Sequence, residues 1–592
     1  MNHTRQNVLI LTVDAFRADR VSLLGYSRPT TPTLERLARN SIVCEQAVSL
    51  STFTQSACIQ LLTSSRPLSY GGYDQGAIGR PNTLFKHLKD HGYRTTSLTS
   101  LHWVNKYYGY GPGLDEELPL FSINTFPGVV IVMLRNTLIA FDKKIIDEQT
   151  MIKKVQPILE KFFFDISDFC QWHINHEIEI QSNFSDTSLV NAGYNYPRIL
   201  KLIKRHKDKF QSDLTAYVRK YLVPTSITND WSNQWLIKEW LYMRQPGKLV
   251  EEATHRLSNK VLKYLAPDLS KARNNRYKHY VDAASLADQV ISSLEKHDTK
   301  KPFCIWTHFM DTHLPYVSGR GRYWYKKTPE YLKKLGHKTS YNPAMTFDLS
   351  PQKPEDKEGF SALYDASILS TDIEISRIID ALDRLGLREN TLVAISGDHG
   401  EELGEHGNWG HYFTLYDHNT RIPMLFHHPT FKETRIKAQV STLDFSPTIS
   451  GLLGLRTDDA WKGRAVNHKD KTKSLLLMET FYGGNCMFDS RPLYFAVRSP
   501  NLLYLWKEYR DPEDKYSPDG PELYDHTSDP DQLNNIYNDD HPELPKFNQL
   551  IAERMAEISE ITDQRIIDAF GQIGQKVIEQ NRPKKKKIKY SE

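Results

Sequence analysis

Cysteine is scarce and scattered in this chain. Five occur in 592 residues, at positions 44, 58, 170, 304 and 486, and none forms a Cys-x-x-Cys pair. That argues against a disulfide framework and against a zinc site built from thiolates, and it favours a reducing compartment. An excess of one charge is missing too: 76 Lys and Arg face 72 Asp and Glu, a net +4, so no nucleic-acid partner is expected. Long apolar runs are absent. The run Asn7–Val13 is short and ends in Asp14, which fits neither a signal peptide nor a span. Phe126 to Phe141 is interrupted by Pro127, Gly128 and Arg135, and reads as an interfacial or buried helix. A cytoplasmic location is therefore expected, with peripheral membrane contact through a basic segment left open. No internal repeat is found.

What is present is ordinary globular material. With 39% hydrophobic and 25% charged residues, disorder, collagen and coiled coil are excluded. The length allows about three domains, or one large α/β domain with insertions. Short β-branched runs at Val8–Val13, Ser41–Val48, Phe303–His308, Leu392–Ser396 and Ile422–His427 read as strands buried on both faces. Helical spacing at Thr31–Arg39, Asn82–His91 and Ala362–Leu385 alternates with them. The fold class is therefore α/β, a mainly parallel sheet sandwiched by helices.

Residues 1–117 and 281–470 are assigned to the α/β domain, and 118–280 to a mostly helical insertion. There Ile199–Leu222 reads as a basic amphipathic helix carrying Lys201, Lys204, Arg205, Lys207 and Lys209, either a lid or docking surface or a solvated helix on the main domain. Residues 471–545 form a small C-terminal β-containing subdomain, with a hairpin at Tyr494–Ser499 and Leu502–Trp506. Residues 546–592 hold a helix and the tail Lys584–Lys589, a solvated end or a contact for an anionic membrane.

Two strand ends carry the chemistry. Asp14 follows the first run, and in open α/β sheets ligands gather beyond the carboxyl ends of strands. Asp398 and His399 follow a later one, flanked by Gly397 and Gly400, and offer one oxygen and one imidazole to a metal ion.

Several blocks in order then carry a resemblance. Asn7–Asp14 with Arg17, Thr83–Thr95, His313-Leu-Pro-Tyr316, Gly397–Gly407, Tyr416 with Arg421-Ile-Pro423, Asp444–Thr448 and Glu522–Asp525 with Asp529-Pro530 together resemble the sulfatase family of the alkaline phosphatase superfamily. The resemblance implies that fold, and a metal-dependent enzyme acting on anionic esters. Its nucleophile motif, Cys-x-Pro-Ser-Arg ahead of Leu-Thr-Gly, is replaced here by Thr54-Gln-Ser-Ala-Cys58 ahead of Leu62-Thr63. Thr54 takes the nucleophile position, with Thr52 or Ser56 as shifts of register and helix capping as its other reading. No formylglycine is expected from a threonine. In this it is similar to phosphoethanolamine and phosphoglycerol transferases.

The resemblance further implies one divalent cation (Ca²⁺, Mg²⁺ or Mn²⁺) held by Asp14, Thr54, Asp398 and His399, with oxygen-rich ligands favouring these over zinc. It assigns His313, His411 and Arg17 to the substrate's oxygens, and His313 and His411 also to catalysis. His308 and Asp311 have less support, as further site residues or as structural ones, with the structural reading favoured. The expected function is cleavage of a phosphate ester or phosphodiester, from a glycan or a lipid head group. The alternatives are a sulfate-ester hydrolase and a non-catalytic anion-binding module.

Overall fold

The apolar runs become the middle of one sheet. In the computed structural model the chain is described over residues 6–71, 76–176, 194–224, 280–314, 354–466, 475–481, 493–508 and 518–561, apart from single positions within and between these ranges. The strands, in chain order, are β1 (Asn7–Val13), β2 (Ser41–Val48), β3 (Arg94–Thr99), β4 (Glu116–Pro119) and β5 (Phe303–Phe309). There follow β6 (Thr391–Gly397), the short pair β7 (Glu402–Leu403) and β8 (Trp409–Gly410), β9 (Arg421–His427) and β10 (Thr434–Ser441). A C-terminal group comprises β11 (Leu476–Phe481), β12 (Leu493–Arg498), β13 (Leu502–Lys507) and β14 (Glu522–Asp525).

Eight strands pair in the order β10-β2-β9-β6-β1-β5-β3-β4. All neighbours run parallel except β9, which is antiparallel to both β2 and β6. The mainly parallel α/β sheet is thus confirmed, with one reversed strand that an apolar run cannot announce.

Helices α1 (Pro32–Ala38), α2 (Thr54–Thr63), α3 (Leu84–Asp90), α4 (Thr125–Asp142), α5 (Glu148–Asn175), α6 (Tyr196–Ser212), α7 (Ala283–Glu295), α8 (Pro354–Arg384) and α9 (Phe445–Leu452) follow the strands. Residues along β1 alternate between two cores, as period-2 geometry requires. Val8 and Ile10 face α2, α3 and α9 through Ile59, Leu62, Phe85 and Ile449. Leu9 and Leu11 face α1, α7 and α8 through Leu37, Leu286 and Ile379. Helices therefore cover both faces of the sheet.

The helical insertion has a core of its own, in which Leu138, Leu159, Phe163, Ile199 and Ile203 of α4, α5 and α6 meet. Phe126–Phe141 lies within α4, and no helix of the described residues is long and apolar enough to cross a membrane. The basic helix is shorter than expected. It stops at Ser212 because Asp213 turns out of helical geometry and caps a new turn at Ala216 N, after which Val218–Leu222 continues as a π-helix. Its Lys201, Lys204, Arg205, Lys207 and Lys209 are exposed. The basic tail, Cys486 and much of 225–279 lie outside the described residues.

Strands β11 to β14 form an antiparallel sheet that includes the expected hairpin. It shares a core with the main sheet through Phe495, Val497 and Leu523, and helix 544–561 joins it with Leu544 and Phe547. Buried ion pairs tie the pieces together. Arg498 of β12 grips Asp417 through both carboxylate oxygens, at 2.9 and 3.0 Å. Arg554 grips Glu479 of β11 in the same way, at 2.6 and 2.8 Å.

Candidate functional site

Strand register builds the site. Val13 of β1 pairs with Phe309 of β5 and with Gly397 of β6, so the three strands end level. Asp14 and Asp398 are the next residues and emerge side by side. Ala15 then adopts a left-handed backbone, φ 47°, which turns the chain sharply and aims its N–H at Asp398 Oδ1, 3.0 Å away. Such a conformation is uncommon for a residue with a Cβ, and it marks a turn held by its surroundings. Tyr364 of α8 helps hold it by donating to the Ala15 carbonyl. Gly400 permits an equally close approach: a Cβ there would lie 1.9 Å from the His418 carbonyl oxygen.

The residues expected to hold a cation converge. Asp14, Asp398 and His399 are fully buried, and each offers an atom within 4.8 Å of the others. Thr54, the first residue of α2, donates from Oγ1 to Asp14 Oδ2 at 2.9 Å and lies 3.2 Å from His399 Nε2. Ser56 instead donates to Ser51 Oγ and the Phe53 carbonyl. His399 Nδ1 lies 2.8 Å from the Gly400 carbonyl, which assigns its proton there and leaves the lone pair on Nε2. Burial and the neighbouring His411 push His399 down to about 3, so it is neutral at ordinary pH.

Two buried carboxylates facing one another need compensation. Burial works against ionising Asp14, but His313, His308 and His399 around it hold its carboxyl well below the usual range. Burial and the Asp14 charge push Asp398 well above it. Asp14 Oδ1 and Asp398 Oδ2 are buried with no hydrogen-bond partner. Orphaned carboxyl oxygens beside a neutral imidazole fit a divalent cation, which would supply the missing partner for both.

His313 and His411 stand at the mouth. Their rings lie 5.1 Å apart, and the His411 ring is 4.2 Å from that of His399. His313 Nδ1 is engaged by the Leu314 carbonyl at 2.6 Å, and His411 Nδ1 by Glu401 Oε1 at 2.8 Å. Burial opposes the protonation of His411, but the Glu401 carboxylate outweighs it and raises this histidine above the ordinary imidazole value. Tyr316 donates to the other oxygen of Glu401, at 2.7 Å. Thr54 is 9% exposed, the least buried of the four residues expected to hold the cation.

Arg17 does not stand where a substrate contact was expected. It is 1% exposed, and its guanidinium is spent on Asp19, Glu405 and the Glu401 carbonyl, with Nη1 2.9 Å from that carbonyl and 2.8 Å from Glu405 Oε1. A buried cation with those acceptors filled braces the loop carrying Glu401. Asp311, read as structural, accepts from Ala283 N at the start of α7. Two neighbours of these residues carried little signal in the sequence. Glu401 lies inside the 397–407 block, but no spacing ties it to His411 across an irregular loop. His308, read as structural, points Nε2 at Asp14 Oδ2 from 3.5 Å.

Comparison with known proteins bears on the family and the fold. The family model described as Sulfatase matches residues 6–128 and 192–455, and that of the N-sulphoglucosamine sulphohydrolase C-terminal region matches 404–561. An ulvan-active sulfatase of Formosa agariphila is 26% identical over 47% of this chain and 52% of its own length. A choline-sulfatase of Rhizobium meliloti is 23% identical over 50% and 57%. The chain thus spans about half the length of these curated relatives. Among solved structures, a phosphonate monoester hydrolase of Agrobacterium radiobacter superposes with a TM-score of 0.55 at 16% identity, covering 94% of this chain and 96% of that one.

Proposed function

This chain belongs to the sulfatase family, and on that premise we propose that it is a metal-dependent hydrolase or transferase that cleaves a phosphate ester or phosphodiester through Thr54. The observation that carries the reading is the Thr54 hydroxyl, 2.9 Å from Asp14 and 3.2 Å from His399, at the first position of a ten-residue helix. A helix start also presents unpaired N–H groups to an anion. Bound between Asp14, Thr54, Asp398 and His399, a Ca²⁺, Mg²⁺ or Mn²⁺ ion would neutralise ester oxygens and acidify the hydroxyl.

The side chains then divide the work. Thr54 Oγ1 gives its proton to solvent and forms a bond to phosphorus as the bond to the leaving oxygen breaks in line. His411, protonated and held at Nδ1 by Glu401, donates from Nε2 to that leaving oxygen. His313, fixed through its own Nδ1, binds a non-bridging oxygen. Water or an acceptor alcohol next attacks the Thr54 adduct and passes its proton to His411, and Thr54 departs and regains a proton. Glu401 acts through His411 as a positioning residue. The substrate in this reading is anionic, such as a glycan or a lipid head group.

A sulfate ester is the second reading, favoured by the curated relatives named as sulfatases. A panel of aryl phosphate, bis-aryl phosphate and aryl sulfate with each cation tests the choice. Turnover of a phosphorus ester supports the proposal, turnover of sulfate alone replaces it with the second reading, and metal binding without any turnover leaves a binding module.

A further inference from the structure

We propose that Cys58, His308 and Asp398 form a second cation subsite, suited to a thiophilic ion such as zinc, that shares the Asp398 carboxylate with the first. This rests on the reading of Asp398 as a metal ligand. The three residues are buried, at 1%, 0% and 0% exposure, and offer a sulfur, a nitrogen and an oxygen all within 4.8 Å of one another.

The surroundings of His308 carry the argument. Thr12 Oγ1 accepts from Trp306 Nε1 at 2.9 Å and donates to the Thr307 carbonyl at 3.3 Å. Thr12 Oγ1 also lies 2.7 Å from His308 Nδ1, so that ring nitrogen is engaged. The other ring nitrogen, Nε2, has no hydrogen-bond partner and faces Asp14 Oδ2 at 3.5 Å and Asp398 Oδ2 at 3.8 Å. An imidazole nitrogen and a carboxyl oxygen left unpaired in a dry interior are costly, and a cation between them would partner both.

Placement and chemistry agree. Cys58 lies four residues after Thr54 on α2, on the same helix face, and His308 pairs with Thr12 two residues before Asp14. A thiolate, an imidazole and a carboxylate make a three-ligand set that zinc accepts with a fourth position open, whereas Ca²⁺ and Mg²⁺ take oxygen ligands. On binding, the Cys58 thiol releases its proton to solvent and the sulfur forms the metal bond. A single thiolate carries no Cys-x-x-Cys spacing, so the pattern that usually announces zinc is absent.

The test uses the full chain, stripped with a chelator and reloaded with Zn²⁺ or Co²⁺. After gel filtration, the metal per chain is counted by mass spectrometry and the absorption spectrum is recorded. Two equivalents are expected, with a thiolate-to-cobalt charge-transfer band in the near ultraviolet. Cys58→Ser should lose the band and one equivalent while keeping its circular dichroism, and His308→Gln should also lose one. A wild-type chain with one equivalent and no such band would overturn the second subsite alone. A chain that binds no metal would overturn both this subsite and the reading on which it rests.

Discussion

The Thr54 hydroxyl donates to a carboxylate forty positions earlier, Asp14, across 2.9 Å. One comes from the first turn of α2 and the other from the end of β1, and His399 closes the group from the end of β6. A threonine that merely capped its helix would turn its oxygen to a backbone N–H two or three residues ahead. Thr54 does otherwise. Its oxygen is committed to the acidic cluster, where its chemistry can be used.

Leaving-group dependence should expose His411. His411→Gln is expected to lower kcat by about 10²-fold or more on alkyl esters, which need protonation as they leave. The loss should be much smaller on nitrophenyl esters. Glu401→Gln should follow the same trend more weakly, with KM little changed. Equal losses across all leaving groups would remove His411 from the acid role.

Metal and fold should be coupled through Asp398. With burial and Asp14 both opposing its charge, the metal-free chain carries a strained carboxylate pair. Adding Mn²⁺, Mg²⁺ or Ca²⁺ should raise Tm. Metal-free Asp398→Asn should melt above the metal-free wild type and gain nothing from the ions. Differential scanning calorimetry reads both outcomes, and a metal-dependent rise in the variant would exclude Asp398 as a ligand.

Glu402 gives a pH signature. Burial, with Glu405 adding to it, pushes this carboxyl up to about 8, against the hydrogen bonds from Thr414 and Asn419. The folded chain therefore holds a proton that the unfolded chain has lost above the ordinary value of 4.5. The contribution is fully present below that value and is lost as pH rises towards 8. Glu402→Gln should retain it, so the Tm of wild type relative to the variant should fall between these limits. A constant difference would contradict the assignment.

A buried ion pair helps to hold the C-terminal helix. Arg554→Met leaves the buried Glu479 without its bidentate partner, and removal of one member of such a pair costs about 3–5 kcal/mol. Urea unfolding should show that loss, and Glu479→Gln in the same chain should recover part of it. An effect near zero would mean that Arg66, 3.7 Å from the same carboxylate, suffices alone.

Much of the sheet was legible because its central strands are continuous apolar runs. The polar strand β3, Arg-Thr-Thr-Ser-Leu-Thr, was not. Its threonines and serine are buried all the same, as when Thr95 donates to the Gly113 carbonyl. The reversal of β9 was equally invisible, since alternation and apolarity carry no direction. In the site, Asp14, Asp398 and His399 could be read because strand ends are where ligands gather, and Thr54 through its distance from Leu62-Thr63. Glu401 and His308 could not, because their partners come from a loop and from strand register. Arg17 sits in a shared motif, yet its guanidinium is turned into the protein, and residue type alone does not reveal that direction.

Covalent capture at Thr54 tests the account most directly. Metal-loaded enzyme is mixed with a turned-over ester, quenched in acid within the first turnovers, digested, and sequenced by mass spectrometry. A phosphoryl group on Thr54, absent from Thr54→Ala although that variant still binds metal, is the predicted result. Undiminished turnover by Thr54→Ala, or an adduct on another residue, would contradict it.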